Sequence, residues 1–253
     1  MSPDQVRQRI AELRAEVARH DELYYRQARP EITDFDYDRL KAELAALEAR
    51  FPAEASAAGA ETPTRRVGDD RAEGFVRARH RLAMTTLDNT YDEAELREFH
   101  ARLVKALGVE DLAYTVEPKI DGVAVSLTYE QGRLTRAVTR GDGEEGDDVT
   151  ANVRTIAGLP AQLAGEGAPE VIEIRGEIYL REEEFRRINQ AQEEAGEAPY
   201  ANPRNLAAGT LKLLDARQVA ARRLEVVLYG LGFCSSPVCD SQTGYHARLR
   251  SWG

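Results

Sequence analysis

Hydrophobic positions in the first fifty residues recur three and four apart, as on one face of a helix. Two such stripes are present, and their members are Val6, Ile10, Leu13, Val17 and Leu23, then Tyr37, Leu40, Leu44 and Leu47. A capping serine followed by proline, Ser2-Pro3, starts the first helix, and Thr33 starts the second. The stretch from Pro52 to about residue 70 shows little periodicity and indicates a linker. Residues 1–70 are therefore predicted to form a small helical module.

Beyond residue 90 the hydrophobic period changes from that of helices to that of strands. Asp92 and Glu95 form a capping pair for a helix that Gly108 should end. Runs of period two predict strands over 113–119, 123–129, 133–139, 171–180 and 224–233, and helices are expected over 150–157, 182–195 and 206–213. Because the strands lack regular β-α alternation, residues 71–253 are predicted to form an α+β domain, a mostly antiparallel sheet with flanking helices.

Composition limits the class of protein. The chain has 253 residues, of which 42% are hydrophobic and 31% charged, so it can bury a core and form two domains. No apolar run approaches the roughly 18 residues of a membrane span and no signal peptide opens the chain, so we expect a cytoplasmic protein without a membrane partner. We also expect a monomer. Two cysteines, Cys234 and Cys239, cannot build a disulfide framework. The net charge of −10 disfavours a surface made wholly to coat nucleic acid but allows a local basic cleft.

The run Glu117-Pro118-Lys119-Ile120-Asp121-Gly122 is the first candidate for chemistry. A lysine amine attacks an electrophile only in its neutral form, so catalytic lysines need desolvation or cationic neighbours. The pattern Lys-x-Asp-Gly alone would occur by chance in about one chain of this length in twenty. A surface lysine followed by an Asp-Gly turn is the alternative, and the surrounding residues must decide.

Basic and polar residues follow this lysine at predicted strand ends and loops. Arg140, Arg204 and Lys212 could converge on a phosphate, although surface salt bridges explain each of them at least as well. Glu177 lies on the polar face of its predicted strand, where a carboxylate could accept hydrogen bonds from ribose hydroxyls. Tyr229 could offer a flat face to a base, or could simply belong to the core.

The run Gly141–Gly146 matches the G-x-G-x-x-G pattern of dinucleotide-binding loops. Acidic residues within and just after it would repel a pyrophosphate, and the preceding strand is predicted to pair in a hairpin rather than in a parallel sheet. We therefore expect these glycines to form a sharp turn that places Arg140 at a strand end.

The helical module contains a group of aromatic and acidic residues, namely Tyr24, Tyr25, Asp34, Tyr37 and Asp38. Carboxylates at a helix start are explained by the helix dipole alone. Together with the tyrosines, they could instead form a pocket for a cationic heterocycle.

Taken together, these runs resemble the N-terminal part of a bacterial NAD-dependent DNA ligase. Six runs in the same order carry the resemblance: Asp34–Asp38, Thr86–Asn89, Glu117–Gly122, Thr139–Gly143, Arg175–Glu177 and Ala201–Asn205. The resemblance implies a nucleotidyltransferase sheet domain in which NAD is consumed as an AMP donor. Lys119 would attack the α-phosphate of NAD to form lysyl-AMP and release nicotinamide mononucleotide.

The resemblance also implies a role for each remaining candidate. By similarity, Glu117 contacts the adenine, Arg140 and Glu177 contact the ribose, and Tyr229 stacks near the base. Arg204 and Lys212 would help to neutralise the phosphate charge, and Thr86 and Leu87 would line the NAD site. Tyr24, Tyr25, Asp34, Tyr37 and Asp38 would accept the nicotinamide end, although Tyr25 stands where many relatives have histidine. Mg²⁺ is expected to neutralise charge on the phosphates, with ligands that the sequence does not identify.

The family's later lysine motif, OB fold, zinc finger, helix-hairpin-helix and BRCT portions are absent from these 253 residues. We therefore expect a truncated adenylation domain that does not seal nicks alone, that self-adenylates weakly, and that meets nicked DNA only in the full-length enzyme. Two alternatives stay open. One is a lysine nucleotidyltransferase that uses ATP or GTP, although neither has a cationic ring for the acidic pocket. The other is a noncatalytic NAD-binding module.

Overall fold

A computed structural model describes residues 2–26, 31–59, 62–65, 74–87 and 89–253, with the backbone alone at residues 25, 26, 34 and 65. The helices are α1 (Pro3–Asp21), α2 (Asp34–Arg50), α3 (Pro52–Ala57), α4 (Glu93–Leu107), α5 (Thr150–Val153), α6 (Glu182–Glu194), α7 (Pro203–Leu211), α8 (Ala216–Ala220) and α9 (Gln242–Trp252). The strands are β1 (Arg77–Arg79), β2 (Val123–Glu130), β3 (Arg133–Thr139), β4 (Glu145–Asp147), β5 (Val171–Tyr179) and β6 (Glu225–Cys234). A π-helical turn spans Glu22–Arg26 and a 3₁₀ turn spans Pro63–Arg65. The predicted α+β class with an antiparallel sheet is confirmed.

Helices α1, α2 and α3 pack around a core of their own. Both predicted apolar stripes contribute, and the fully buried members are Val6, Ile10, Leu13, Val17 and Leu44. The start of α1 has the expected capping box, in which the Ser2 hydroxyl accepts from the Gln5 amide and the Gln5 side chain accepts from the Ser2 amide.

The predicted linker after Pro52 is wrong at its beginning. Pro52 takes the first position of α3, and Ala55 is buried against the helical core. Six residues are less than two helical turns, too few to show a period in the sequence. Residues 60–61 and 66–70 of that linker lie outside the described residues.

The main sheet has the strand order β3-β2-β5-β6, and every neighbouring pair is antiparallel. The hairpin between β2 and β3 turns at Gln131 and Gly132, with φ values of 50° and 75°, as the sequence predicted. One face of β5 carries the buried core residues Ile172, Ile174 and Ile178. Its other face carries Glu173, Arg175 and Glu177, so this second face is the polar one.

A second, two-stranded sheet pairs β1 with β4. The expected sharp turn precedes β4, and Gly141 and Gly143 adopt φ values of 59° and 95°, which favour glycine. Gly146 on β4 lies so close to β3 that a Cβ atom there would stand 1.8 Å from the Thr139 carbonyl oxygen. The acidic run therefore packs on the sheet instead of opening a helix.

The predicted strand over 113–119 is wrong. Residues 111–121 are irregular and mostly exposed, and the Val116 side chain is 93% exposed. A strand needs a partner for its backbone groups, and no strand among the described residues pairs with this segment. Helix α4, which precedes it, begins at the predicted Asp92 cap, ends at Gly108 with φ 66°, and has no buried residue.

Three other helical assignments differ from expectation. The helix predicted over 150–157 is the single turn α5, and it is followed by non-helical turns. Helices α8 and α9 were not predicted, although α9 buries Tyr245 and Trp252. None of the helices in the described part of the chain has the length and apolar character that crossing a membrane requires.

Candidate active site

The polar face of β5 brings several of the predicted residues together at Glu177. Burial raises the pKa of the Glu177 carboxyl, and the positive charges of Arg204, Lys119 and Arg140 act against that rise. The negative charge of Asp121 adds to it. The three predicted cations therefore lie within electrostatic reach of one partly buried carboxylate, although their positions in the sequence span 86 residues.

Gly122 holds the Lys119 segment against the sheet. A Cβ atom on Gly122 would stand 2.2 Å from the Ile178 carbonyl oxygen and 3.1 Å from Glu177 Cγ, so only glycine permits this approach. The lysine itself is exposed, three residues ahead of this contact. An irregular, exposed segment is thereby attached to the sheet beside Glu177.

Arg204 lies at the start of α7 and forms an ion pair with Asp121. It lies in the first turn of α7, where Asn202 caps the helix by accepting from the Asn205 amide and Pro203 takes the first helical position. Its Nη1 donates to Asp121 Oδ1 over 2.6 Å. Asp121 was quoted in the lysine run but was not among the predicted site residues, and the structure makes it the partner of Arg204.

Arg140 and Tyr229 approach Glu177 from two other strands. Arg140 directly follows β3, and its backbone amide donates to the Ala124 carbonyl oxygen on β2 over 3.1 Å. Burial raises the pKa of the Tyr229 hydroxyl, the negative charge of Glu177 raises it further, and Arg140 acts in the opposite direction. Tyr229 on β6 is therefore a neighbour of Glu177.

Glu117 is held by two residues of α9 that the sequence analysis did not select. Its Oε1 lies 3.2 Å from Gln242 Nε2 and 3.3 Å from His246 Nε2. Gln242 Nε2 also donates to the Tyr229 carbonyl oxygen over 2.7 Å. The Gln242 side-chain amide therefore bonds both to Glu117 and to the backbone of Tyr229, the two residues predicted to contact adenine.

The helical module contacts Arg204 through Tyr24, and through Asp38 it contacts the segment that precedes α4. The Arg204 guanidinium lies over the Tyr24 ring, 4.8 Å from its centroid. Asp38 Oδ2 accepts hydrogen bonds from the Tyr91 hydroxyl over 2.8 Å and from Asn89 Nδ2 over 3.2 Å. These contacts place two residues of the predicted nicotinamide pocket beside the sheet domain.

The rest of that pocket is only partly described. Tyr37 donates its hydroxyl hydrogen to Asp21 Oδ1 over 2.6 Å, and burial is the main cause that raises the pKa of Asp21. Asp21 was not predicted as a site residue. The side chains of Tyr25 and Asp34 lie outside the described residues, as does Asp88 of the Thr86–Asn89 run.

Three predicted residues are not brought into this cluster by any contact among the described residues. Thr86 and Leu87 lie in the exposed segment between β1 and α4, where Leu87 is 76% exposed. Lys212 caps the C-terminal end of α7, eight residues after Arg204. Sequence reasoning missed Gln242 and His246 because they reach Glu117 only through tertiary contacts, and it missed Tyr91, which reaches Asp38 in the same way.

The described residues contain no group of three or more His, Cys, Asp or Glu side chains that could hold a metal ion. Asp121 and Glu177 are near each other electrostatically, but Arg204 ion-pairs with Asp121. Mg²⁺ retains several waters and usually binds through one or two carboxylates together with substrate phosphates, so a closed cage of protein ligands is not required for it.

Comparison with known families covers nearly the whole chain. Residues 72–253 match the model of the NAD-dependent DNA ligase adenylation domain, and residues 3–68 match that of the DNA ligase-like, N-terminal NAD⁺-binding domain. The chain belongs to the NAD-dependent DNA ligase family. The resemblance that the six sequence runs indicated is confirmed.

Individual DNA ligases match this ligase chain over almost its full length. It is 58% identical over 258 residues to DNA ligase 1 of Opitutus terrae, 46% identical over 252 residues to the DNA ligase of Desulforudis audaxviator, and 48% identical over 250 residues to that of Halorhodospira halophila. The alignments cover 99–100% of this chain but only 35–38% of those relatives. The chain therefore spans about a third of the length of the curated relatives it matches.

Proposed function

We propose that this chain transfers AMP from NAD to Lys119. Nζ of Lys119, in its neutral form, attacks the phosphorus on the adenosine side of the pyrophosphate. A P–N bond forms while the P–O bond to the nicotinamide half breaks, and nicotinamide mononucleotide leaves with the bridging oxygen. The amine gives up a proton to solvent. The supporting observation is the convergence of Lys119, Arg140 and Arg204 around Glu177.

The cationic side chains stabilise the charge that develops on the phosphoryl oxygens. Guanidinium groups suit this role because their fork of N–H donors matches phosphate geometry. Arg204 is oriented for it by Asp121, which holds Nη1 over 2.6 Å. Arg140 and Lys119 contribute positive charge from other elements. Because the site already concentrates cations, protein groups can assist departure of the leaving group.

The nucleoside is held on the polar face of the sheet. Glu177 on β5 accepts a hydrogen bond from a ribose hydroxyl, Arg140 donates one to a ribose oxygen, and Tyr229 on β6 lies against the base. Glu117 accepts a hydrogen bond from the adenine amino group. The mutual electrostatic influence of Glu177, Arg140 and Tyr229 supports this arrangement.

The helical module takes the nicotinamide end of NAD. Its acidic and aromatic side chains suit a positively charged ring, and Tyr24 and Asp38 already contact the sheet domain. Tyr37 stands beside Asp21 in the same module. The roles of Tyr25, Asp34, Thr86, Leu87 and Lys212 stay predictions, as does the binding of Mg²⁺ to the phosphates.

We further propose that residues 1–70 and 71–253 are two functional units. Their buried hydrophobic residues form two separate clusters, one within the helical part and one around the main sheet. In a full-length ligase the AMP would pass from Lys119 to the 5′-phosphate of nicked double-stranded DNA. A monomeric state and a cytoplasmic location stay predictions.

Intact-mass measurement after incubation with NAD and Mg²⁺ tests the adenylation step. We expect a mass increase of one AMP with NAD but not with ATP, and no increase in Lys119→Ala. Lys105→Ala is the matched control, because Lys105 lies exposed at the end of α4, and it should be modified like the unaltered chain. An adduct from ATP would favour the ATP-dependent alternative. A folded chain that binds NAD but gains no mass would contradict the catalytic proposal and favour a binding module.

A further inference from the structure

We propose that Gln242 and His246 are positioning residues that fix Glu117 so that it recognises the amino group of adenine. The inference rests on the function proposed above and extends it to a helix, α9, that no predicted site residue occupies. Its subject is specificity for the base, not the chemical step at Lys119.

Glu117 belongs to a segment that gives it little support of its own. Residues 111–121 are irregular, and the Glu117 side chain is 33% exposed. A carboxylate on such a segment would sample many positions unless other groups hold it. The two groups that hold it, Gln242 and His246, are four residues apart and so lie on one face of α9.

Helix α9 is a rigid support for this contact. Tyr245 and Trp252 are 2% and 1% exposed, and the Tyr245 hydroxyl donates to the Gly230 carbonyl oxygen on β6 over 2.9 Å. The Ser241 hydroxyl caps the start of α9 by accepting from the Gly244 amide. The donors that reach Glu117 are therefore attached to the core and to the strand that carries Tyr229.

The hydrogen count at Gln242 determines which group donates to which. Its Nε2 has two protons and lies near the Tyr229 carbonyl oxygen, Glu117 Oε1 and His246 Nε2, at 2.7, 3.2 and 3.2 Å. Rotating the amide would set its oxygen against two acceptors, so the two protons serve the carbonyl and the carboxylate. With both amide protons so used, a proton on His246 Nε2 would have Glu117 Oε1 as its acceptor, 3.3 Å away, and we assign that donor role to His246.

Both donors use Oε1 of Glu117, and neither uses Oε2. This leaves Oε2 as the oxygen that can accept from a substrate. The exocyclic amino group of adenine is a donor, whereas hypoxanthine has a carbonyl oxygen at that position, which a carboxylate repels. Gln242 also donates to the Tyr229 carbonyl oxygen. Glu117, which is proposed to bind the edge of the base, is therefore fixed relative to the Tyr229 ring, which is proposed to lie against the face of the base.

The preference for adenine over hypoxanthine measures this role directly. We would compare the second-order rate constant of single-turnover Lys119 adenylation for NAD and for nicotinamide hypoxanthine dinucleotide, and in parallel the equilibrium binding of AMP and IMP. In Gln242→Ala and in His246→Ala the preference for the adenine ligand should fall about tenfold, the effect of one weakened hydrogen bond to a charged group. His246→Gln retains a donor and should recover part of the preference.

Thr243→Ala is the matched control, because Thr243 is an exposed neighbour on the same helix. Its preference should equal that of the unaltered chain, and thermal unfolding should show that all variants are folded. An unchanged preference in both alanine variants would overturn the inference, and failure of His246→Gln to recover any would overturn the donor role of His246. If the unaltered chain formed no lysyl-AMP, the adenylation proposal would fail, while the AMP and IMP binding ratios would still decide the role of these residues.

Discussion

Replacement of Gly122 by alanine should slow adenylation of Lys119 far more than it lowers stability. The new Cβ atom would stand 2.2 Å from the Ile178 carbonyl oxygen, so the two must separate by about 1 Å to reach ordinary contact. Ile178 lies in β5, where it pairs with Val123 on one side and Val226 on the other. The irregular segment before Gly122 has no such pairing and should move instead.

The expected losses of stability and of adenylation rate follow from movement of the irregular segment while β5 stays in place. Overpacking of a tight site typically costs about 1–3 kcal/mol, and movement of the loose segment should keep the loss of unfolding free energy in the lower half of that range. The same movement displaces Lys119 and Asp121 from Glu177 and Arg204. A shift of about 1 Å in a reacting group can reduce the rate about 100-fold.

Single-turnover adenylation with NAD, followed by intact mass, measures the rate, and denaturant unfolding measures the stability. Gly209→Ala provides the matched control. Gly209 is exposed within α7, and a Cβ atom there would meet nothing within 4 Å. This control should retain the adenylation rate and gain about 0.5–1 kcal/mol of stability from the better helix propensity of alanine.

The affinity for AMP separates positioning of the lysine from general damage. It should change less than about tenfold in Gly122→Ala, because Glu177 and Tyr229 lie on strands that this substitution need not move. A Gly122→Ala chain that adenylates at the normal rate would refute the idea that the close approach to Ile178 positions Lys119. A chain that loses AMP binding as strongly as rate would show that the damage spreads through the sheet.

Three further changes test burial and charge. Glu177→Gln should weaken NAD binding at least about tenfold. It should also raise Tm at pH 7 but not near pH 4. Burial raises the pKa of Glu177 above its unfolded value, so ionisation of Glu177 destabilises the folded state only as pH rises through the interval between the unfolded and folded pKa values. Arg77→Ala should lower the unfolding free energy in denaturant by about 2–3 kcal/mol, since Arg77 pairs with fully buried Asp147, whereas Arg79→Ala, whose pair is exposed, should cost under about 1 kcal/mol. Ile10→Ala should destabilise the helical module by about 2–5 kcal/mol in the same assay. Equal losses for the two arginines, or a higher Tm at pH 4 for the glutamine variant, would contradict these assignments.

Local patterns predicted the elements that depend on local causes. The Ser2 cap, the Asp92 cap and the Gly108 stop mark helix ends where the sequence placed them. Strands β2, β3, β5 and β6 were predicted within two residues, because each is a short apolar run and β5 alternates between a buried and a polar face. Residues 113–119 show a similar alternation and yet form no strand, since pairing depends on a partner that the local pattern does not reveal.

The residues of the candidate site also fall into two groups, those that short sequence runs could identify and those that they could not. Lys119, Arg140, Glu177, Arg204 and Tyr229 could be selected from short runs and their order along the chain, and the structure brings them together. Their supporting partners could not be selected. Gln242 and His246 lie on a helix whose weak apolar stripe gave no signal, and their importance depends on a segment 125 residues earlier in the chain.

The cation–π contact between Arg204 and Tyr24 has a thermodynamic consequence. One guanidinium contacts a ring of the helical module and the carboxylate of Asp121, so docking of the module and occupancy of the proposed phosphate site share a residue. Two equilibria that share a group are linked, and the linkage is reciprocal. A ligand that displaces Arg204 from Tyr24 weakens docking of the helical module. Docking of the module weakens binding of that ligand by the same free energy. Release of the nicotinamide half could then be driven by the rearrangement of a single arginine.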